Sequence, residues 1–193
     1  NTVHLIPNLK ETFNGIAEAL KYKGTFVFNT GNVLRKGREK GILMLDSTVY
    51  RVHDIAIDII RKNPQFKRYK ENLDKIIEAY TPLRKLIFPD PRPIQDYLKA
   101  LKEAGFKYSE PVYKCFRLKY SDWINFLRIE RLQVGILPEV GGKDPSPKEE
   151  RDRDILIVMS AKKLFKELEK LNPFADNKSY LGEWAYVSAK KTY

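Results

Sequence analysis

Apolar positions recur at helical spacing almost from the start of the chain. Leu9, Phe13, Ile16, Ala17 and Leu20 form one stripe, which predicts an amphipathic helix. Pro7-Asn8 precedes it and Glu11 follows Asn8 by three residues, the spacing of a capping box. After the turn Leu20 to Gly24 comes a short β-branched and aromatic run, Thr25 to Phe28, which suits a buried strand. It ends in the polar, turn-forming cluster Asn29-Thr30-Gly31-Asn32. Ligands of open α/β sheets sit beyond the carboxyl ends of strands, so chemistry is expected here.

The pattern then changes. Arg35 to Lys40 is a basic, glycine-containing loop, and helices are predicted over Val52 to Arg61 and Phe66 to Tyr80, with Asn63-Pro64 as the break. Asp90-Pro91-Arg92-Pro93 closes this stretch, which is too long for an ordinary strand-to-helix connection and reads as an insertion covering the site. At Ile94 the α/β rhythm resumes. Tyr97, Leu98 and Leu101 make a helical stripe that ends at Ala104-Gly105, and Phe106 to Phe116 reads as a strand. A second helical insertion follows, with Ser121-Asp122-Trp123, Leu137-Pro138-Glu139 and the loop Gly141 to Pro145. Ser146-Pro147-Lys148-Glu149 is another capping box, with proline at the first helical position, opening a long helix through Ile155, Val158, Met159, Phe165 and Leu168. Glu183 to Lys190 predicts a last strand.

Composition narrows the class. With 42% apolar residues, 11 Tyr, 10 Phe and 2 Trp among 193 residues, a substantial core can form. The single cysteine, Cys115, excludes an internal disulfide and fits a reducing, cytoplasmic setting. No apolar run approaches the roughly 20 residues of a membrane span; the longest is Ile155 to Met159. The start shows neither a signal-peptide pattern nor an initiator Met, which fits a fragment or processed chain. One Cys and two His give no zinc spacing, and no metal is expected. The formal charge is +11, with a sequence pI near 9.6, and a surface of that sign attracts polyanions. The charges are mostly Lys mixed with Glu and Asp, as in Lys148 to Asp154, which a solvated helical face also explains.

The string LKYKG (Leu20 to Gly24) feeding TFVF resembles the segment between the fourth and fifth strands of class I S-adenosylmethionine-dependent methyltransferases. YLKALKEAGF before an aromatic-rich strand resembles the same family's sixth strand and its preceding helix, and Glu183 to Lys190 its last, antiparallel one. The resemblance covers 1–32, 94–117, more loosely 121–139, and 182–191. LKYKG departs from the usual LKPGG in lacking the proline and first glycine. The nearest flavour is the small-molecule branch, methyltransferase type 11, similar to trans-aconitate methyltransferase.

That resemblance implies an α/β fold, the C-terminal half of a Rossmann-like sheet. Its last three strands would be present, the final one antiparallel, with two helical insertions as a lid. The core would comprise 1–34, 93–120 and 181–193, the lid 35–92, and the second insertion 121–180. The family's glycine-rich cofactor loop is missing from these residues, so the chain is expected to be an inactive fragment of an enzyme that methylates a small molecule. It also implies an exposed strand edge at Thr25 to Phe28, inviting self-association. The implied cofactor is S-adenosylmethionine, with Asn1, Thr2 and His4 on the cofactor side; His4 also reads as a packing or helix-entry residue. Asn29, Tyr50, Trp123 and Arg128 are the implied substrate residues, and no catalytic base is assigned. Each has a structural alternative: turn stabilisation for Asn29, core packing for Tyr50 and Trp123, and a surface ion pair with Glu130 or Glu139 for Arg128. His53, beside Asp54, reads as a solvated or helix-capping residue in preference to a catalytic base. The competing function is a non-catalytic basic module for nucleic acid or an acidic partner. A third is a degenerate methyltransferase-like partner subunit.

Overall fold

A computed structural model of the chain describes residues 3–39, 41–171 and 179–193. In chain order, a 3-10 turn at Val3–Leu5 leads to α1 (Leu9–Ala19), β1 (Thr25–Thr30), β2 (Val33–Leu34) and α2 (Leu45–Lys62). A 3-10 stretch at Pro64–Tyr69 leads to α3 (Leu73–Ile87), β3 (Arg92–Pro93), α4 (Ile94–Glu103), β4 (Phe106–Tyr108) and β5 (Val112–Lys119). Then follow α5 (Tyr120–Leu127), α6 (Glu130–Ile136), α7 (Pro147–Leu171) and β6 (Ser179–Lys191). The chain divides into two compact units, Asn1–Leu45, Asp90–Phe116 and Gly182–Tyr193 in the first, Asp46–Pro89 and Arg117–Leu181 in the second.

The first unit is mixed α/β with an antiparallel sheet. Its strand order is β1-β6-β4, so the last strand in sequence lies between the other two and antiparallel to both, from Thr25↔Lys190 to Thr30↔Ala185 on one side and Phe106↔Lys191 to Tyr108↔Ala189 on the other. β5 also pairs with β6. β1 ends the sheet among the described residues. Strand alternation turns Phe26 and Phe28 inward and leaves Val27 60% exposed. Phe13 of α1 and Tyr97 of α4 meet that inner face, with Phe13 5.8 Å from both Phe26 and Phe28 and Tyr97 6.0 Å from Phe28, centroid to centroid. Burying each such ring contributes roughly 1.5–3 kcal/mol. The α1 capping box forms as the spacing predicts: the Glu11 N–H donates to Asn8 Oδ1 at 3.2 Å, and Asn8 Nδ2 to Glu11 Oε2 at 3.0 Å.

In the second unit, Trp123 packs at a tilt against Phe165 of α7, centroid to centroid 5.1 Å, and Phe165 lies 4.1 Å from Tyr180. The capping box of α7 is also made, with Ser146 Oγ donating to Glu149 Oε2 at 2.6 Å and the Glu149 N–H donating to Ser146 Oγ at 3.4 Å. No described helix is long and apolar enough to cross a membrane.

Several expected boundaries move; α2 begins at Leu45 and not Val52, and β6 at Ser179 and not Glu183. The single strand over Phe106 to Phe116 is two, because Pro111 in the intervening Ser109-Glu110-Pro111 has no N–H for a ladder. The helix expected over Phe66 to Tyr80 is a 3-10 stretch and then α3, with Asn72 in the left-handed region (φ +55°) between them. α3 also runs through Pro82 to Ile87, beyond the expected end.

Candidate functional site at the carboxyl end of β1

The polar cluster that ends β1 folds inward. Thr30 and Asn32 are buried, and the Asn32 N–H donates to Thr30 Oγ1 at 3.3 Å. Val33 and Leu34 then pair in parallel with Arg92 and Pro93. The basic loop turns back at Gly37, whose φ of +75° suits glycine, and brings Arg35 and Arg38 to the same carboxylate, Glu183 of β6. Arg35 donates Nε to Oε1 at 2.9 Å and Nη2 to Oε2 at 2.5 Å, and its guanidinium lies 4.3 Å over the Tyr113 ring. Arg38 Nε stands 3.4 Å from Glu183 Oε1 while its Nη2 donates to the Val33 carbonyl at 2.6 Å.

The electrostatics follow from this geometry. The Arg35 hydrogen bonds hold the Glu183 carboxyl below the ordinary carboxylate range, against the upward push of burial, with both guanidinium charges adding to the effect. Burial lowers the Arg38 guanidinium, and burial raises the Tyr113 phenol. A carboxylate with both oxygens engaged by Arg35 is a structural anchor rather than a free base. Two guanidiniums facing one carboxylate leave this end of the sheet positive.

Two signals for this cluster were present in the sequence. Glu183 shares the inward parity of Ala185, Val187 and Ala189, and a carboxylate on a buried face calls for a cation. The RKGREK loop supplies it.

Asn1 and Thr2 lie outside the described residues. His4 is buried in the 3-10 turn that precedes α1. Asn29 lies in β1 opposite Tyr186, on the sheet face away from α1 and α4. Tyr50, Trp123 and Arg128 belong to the second unit. Tyr50 donates its hydroxyl to the Phe88 carbonyl at 2.5 Å, and buried Trp123 donates Nε1 to Thr48 Oγ1 at 3.2 Å. Arg128 makes its ion pair with neither Glu130 nor Glu139 but with Asp154 of α7, through Nε at 2.8 Å and Nη2 at 3.0 Å. Thus His4 and Asn29 share one unit and the other three share the second.

His53 is neither solvated nor a cap. Within the second unit it is buried, with Nε2 3.1 Å from Glu139 Oε1, and the same oxygen accepts from Arg84 Nη2 at 2.5 Å. Burial pushes the Glu139 carboxyl up, but the hydrogen bond and charge of His53 and the Arg84 guanidinium outweigh it and hold the carboxyl below the ordinary range.

Among the described residues no group of three or more His, Cys, Asp and Glu is placed to hold a metal. Nor do the described residues make a cradle for S-adenosylmethionine by themselves: the carboxylate at this end of the sheet is consumed by Arg35, and His4 is buried.

No family model matches the chain, and no curated protein does. Among solved structures it is similar to a Bacillus halodurans C-125 protein provisionally assigned as a methyltransferase, at 15% identity and a TM-score of 0.42. The match covers 99% of this chain and 61% of that one, so the chain spans about three fifths of its neighbour's length. At that distance the likeness places no residue in a role.

Proposed function

We propose that the chain supplies the last three strands of a Rossmann-like, S-adenosylmethionine-dependent methyltransferase acting on a small molecule, with the glycine-rich cofactor loop supplied by sequence other than these residues. The observation that carries the reading is the strand order. The last strand, β6, runs antiparallel to both β1 and β4, and the resemblance of LKYKG-TFVF, YLKALKEAGF and the last strand implies just such a final antiparallel strand. The unit Asp46–Pro89 and Arg117–Leu181 then corresponds to the substrate-selecting insertions. In such enzymes the cofactor brings the electrophilic methyl group, and the protein contributes alignment and exclusion of water. On this reading the Arg35–Glu183–Arg38 cluster stiffens the carboxyl end of β1, where the acceptor would approach.

The test is transfer of a labelled methyl group from S-adenosylmethionine to a panel of small acceptors bearing oxygen, nitrogen or carbon nucleophiles. It compares the product of the complete reading frame with the 193-residue chain. Turnover by the former alone is expected. Turnover by neither, with both preparations folded, counts against the reading.

A further inference from the structure

The sheet of the first unit has one face under α1 and α4 and another that carries no apolar core. On that second face the strand register aligns Thr25, Val27 and Asn29 of β1 with Lys190, Ser188 and Tyr186 of β6, and Lys107 of β4 with Lys190. Trp184 continues the same parity along β6 and meets Phe116 of β5 at 5.5 Å, while Lys114 of β5 lies 5.8 Å from the Tyr186 ring centroid. Lys107, Lys114 and Lys190 are exposed, and Tyr186 is 38% exposed.

Two features of this surface call for a partner. Lys107 and Lys190 are directly opposed in an antiparallel pair, an arrangement that like charges make unfavourable. No Asp or Glu occupies any of the face positions just named, and none of the three lysines has an ion-pair partner among the described residues. The second feature is the Tyr186 ring beside the Lys114 ammonium, with Trp184 two residues further along the same strand face. A polyanion offsets the lysine repulsion, and a polyanion with planar bases also uses the rings.

We infer that this open sheet face binds single-stranded nucleic acid, with bases stacking on Tyr186 and neighbouring phosphates on Lys107, Lys114 and Lys190. The charge term comes from release of counterions, and the ring term from base stacking, which tolerates any sequence. The inference stands apart from the proposed methyl transfer and survives its failure.

The probe is a fluorescently labelled oligouridine of about twelve nucleotides, long enough for one such platform. Its anisotropy is followed against the 193-residue chain at several salt concentrations, with a duplex of equal length beside it. Three phosphate contacts predict a log–log salt slope of about −2, an affinity loss of about 18-fold between about 50 and about 200 mM salt. Substituting Lys107, Lys114 and Lys190 together with alanine should flatten that slope. Tyr186→Ala should weaken single-strand binding by about 5- to 100-fold while leaving the slope unchanged. Circular dichroism checks that these surface variants remain folded. The inference is overturned by absence of binding, or by salt-sensitive binding that is equal for duplex and single strand and indifferent to Tyr186. It is also overturned by a concentration-dependent dimer that Tyr186→Ala abolishes, because the face then belongs to a second copy.

Discussion

Replacing Glu139 with glutamine probes the buried charge network of the second unit. The Glu139 side chain is fully buried, and its Oε1 receives Arg84 Nη2 at 2.5 Å and His53 Nε2 at 3.1 Å. Glutamine keeps the shape and one acceptor but removes the charge, leaving the 4%-exposed Arg84 guanidinium without its counter-ion. Breaking one partner of a buried pair costs about 3–5 kcal/mol. Glu139→Gln combined with Arg84→Met removes the Arg84–Glu139 pair together and keeps an acceptor for His53, so its loss should be clearly smaller than that of the single variant. Urea unfolding monitored by tryptophan fluorescence reads both variants. There is a pH signature as well. Because the folded state holds the Glu139 carboxyl below the ordinary range, the unfolded chain takes up the proton first on acidification. The stabilisation is therefore complete above the ordinary carboxylate range and is lost as pH falls through the lower folded value. Glu139→Gln should remove that acid-side slope. A single-variant loss below about 1 kcal/mol, or a double variant no better than the single, would refute the assignment of this network as a charge-balanced anchor.

Three further outcomes follow from the same structure. Asn8→Ala removes the α1 cap and should cost about 0.5–2 kcal/mol in chemical denaturation, with Asn8→Asp close to the parent. Arg128→Ala breaks an exposed pair with Asp154 and should leave the urea midpoint close to the parent's; a clear drop would show that the pair is more than a surface contact. Because β1 ends the described sheet, sedimentation velocity should reveal concentration-dependent association that Val27→Lys reduces, and a strictly monomeric parent would remove the exposed-edge argument.

Local signals were legible wherever one residue type had one physical role. Both capping boxes were readable because Asn8/Glu11 and Ser146/Glu149 are short-range and chemically specific. β1 was readable because aromatic and β-branched residues alternate beneath α1. Boundaries were lost where backbone geometry decided them: Asn72 enters the left-handed region and divides an expected helix, and Pro82 is carried inside α3 instead of ending it. The charged clusters were hidden for a different reason. Arg35 and Glu183 lie 148 positions apart, and His53 and Glu139 lie 86 apart, so no local window joins them. The inward parity of Glu183, with the basic RKGREK loop to supply a cation, pointed to a buried pair. The implied substrate residues Tyr50, Trp123 and Arg128 each turned out to have a specific protein partner, which spacing alone does not reveal.

Calorimetric titration of S-adenosylmethionine into the product of the complete reading frame, with the 193-residue chain titrated in parallel, tests the central proposal most directly. The account predicts one-to-one, saturable heat with the complete product and none with the chain alone. Silence from a folded complete product would contradict it.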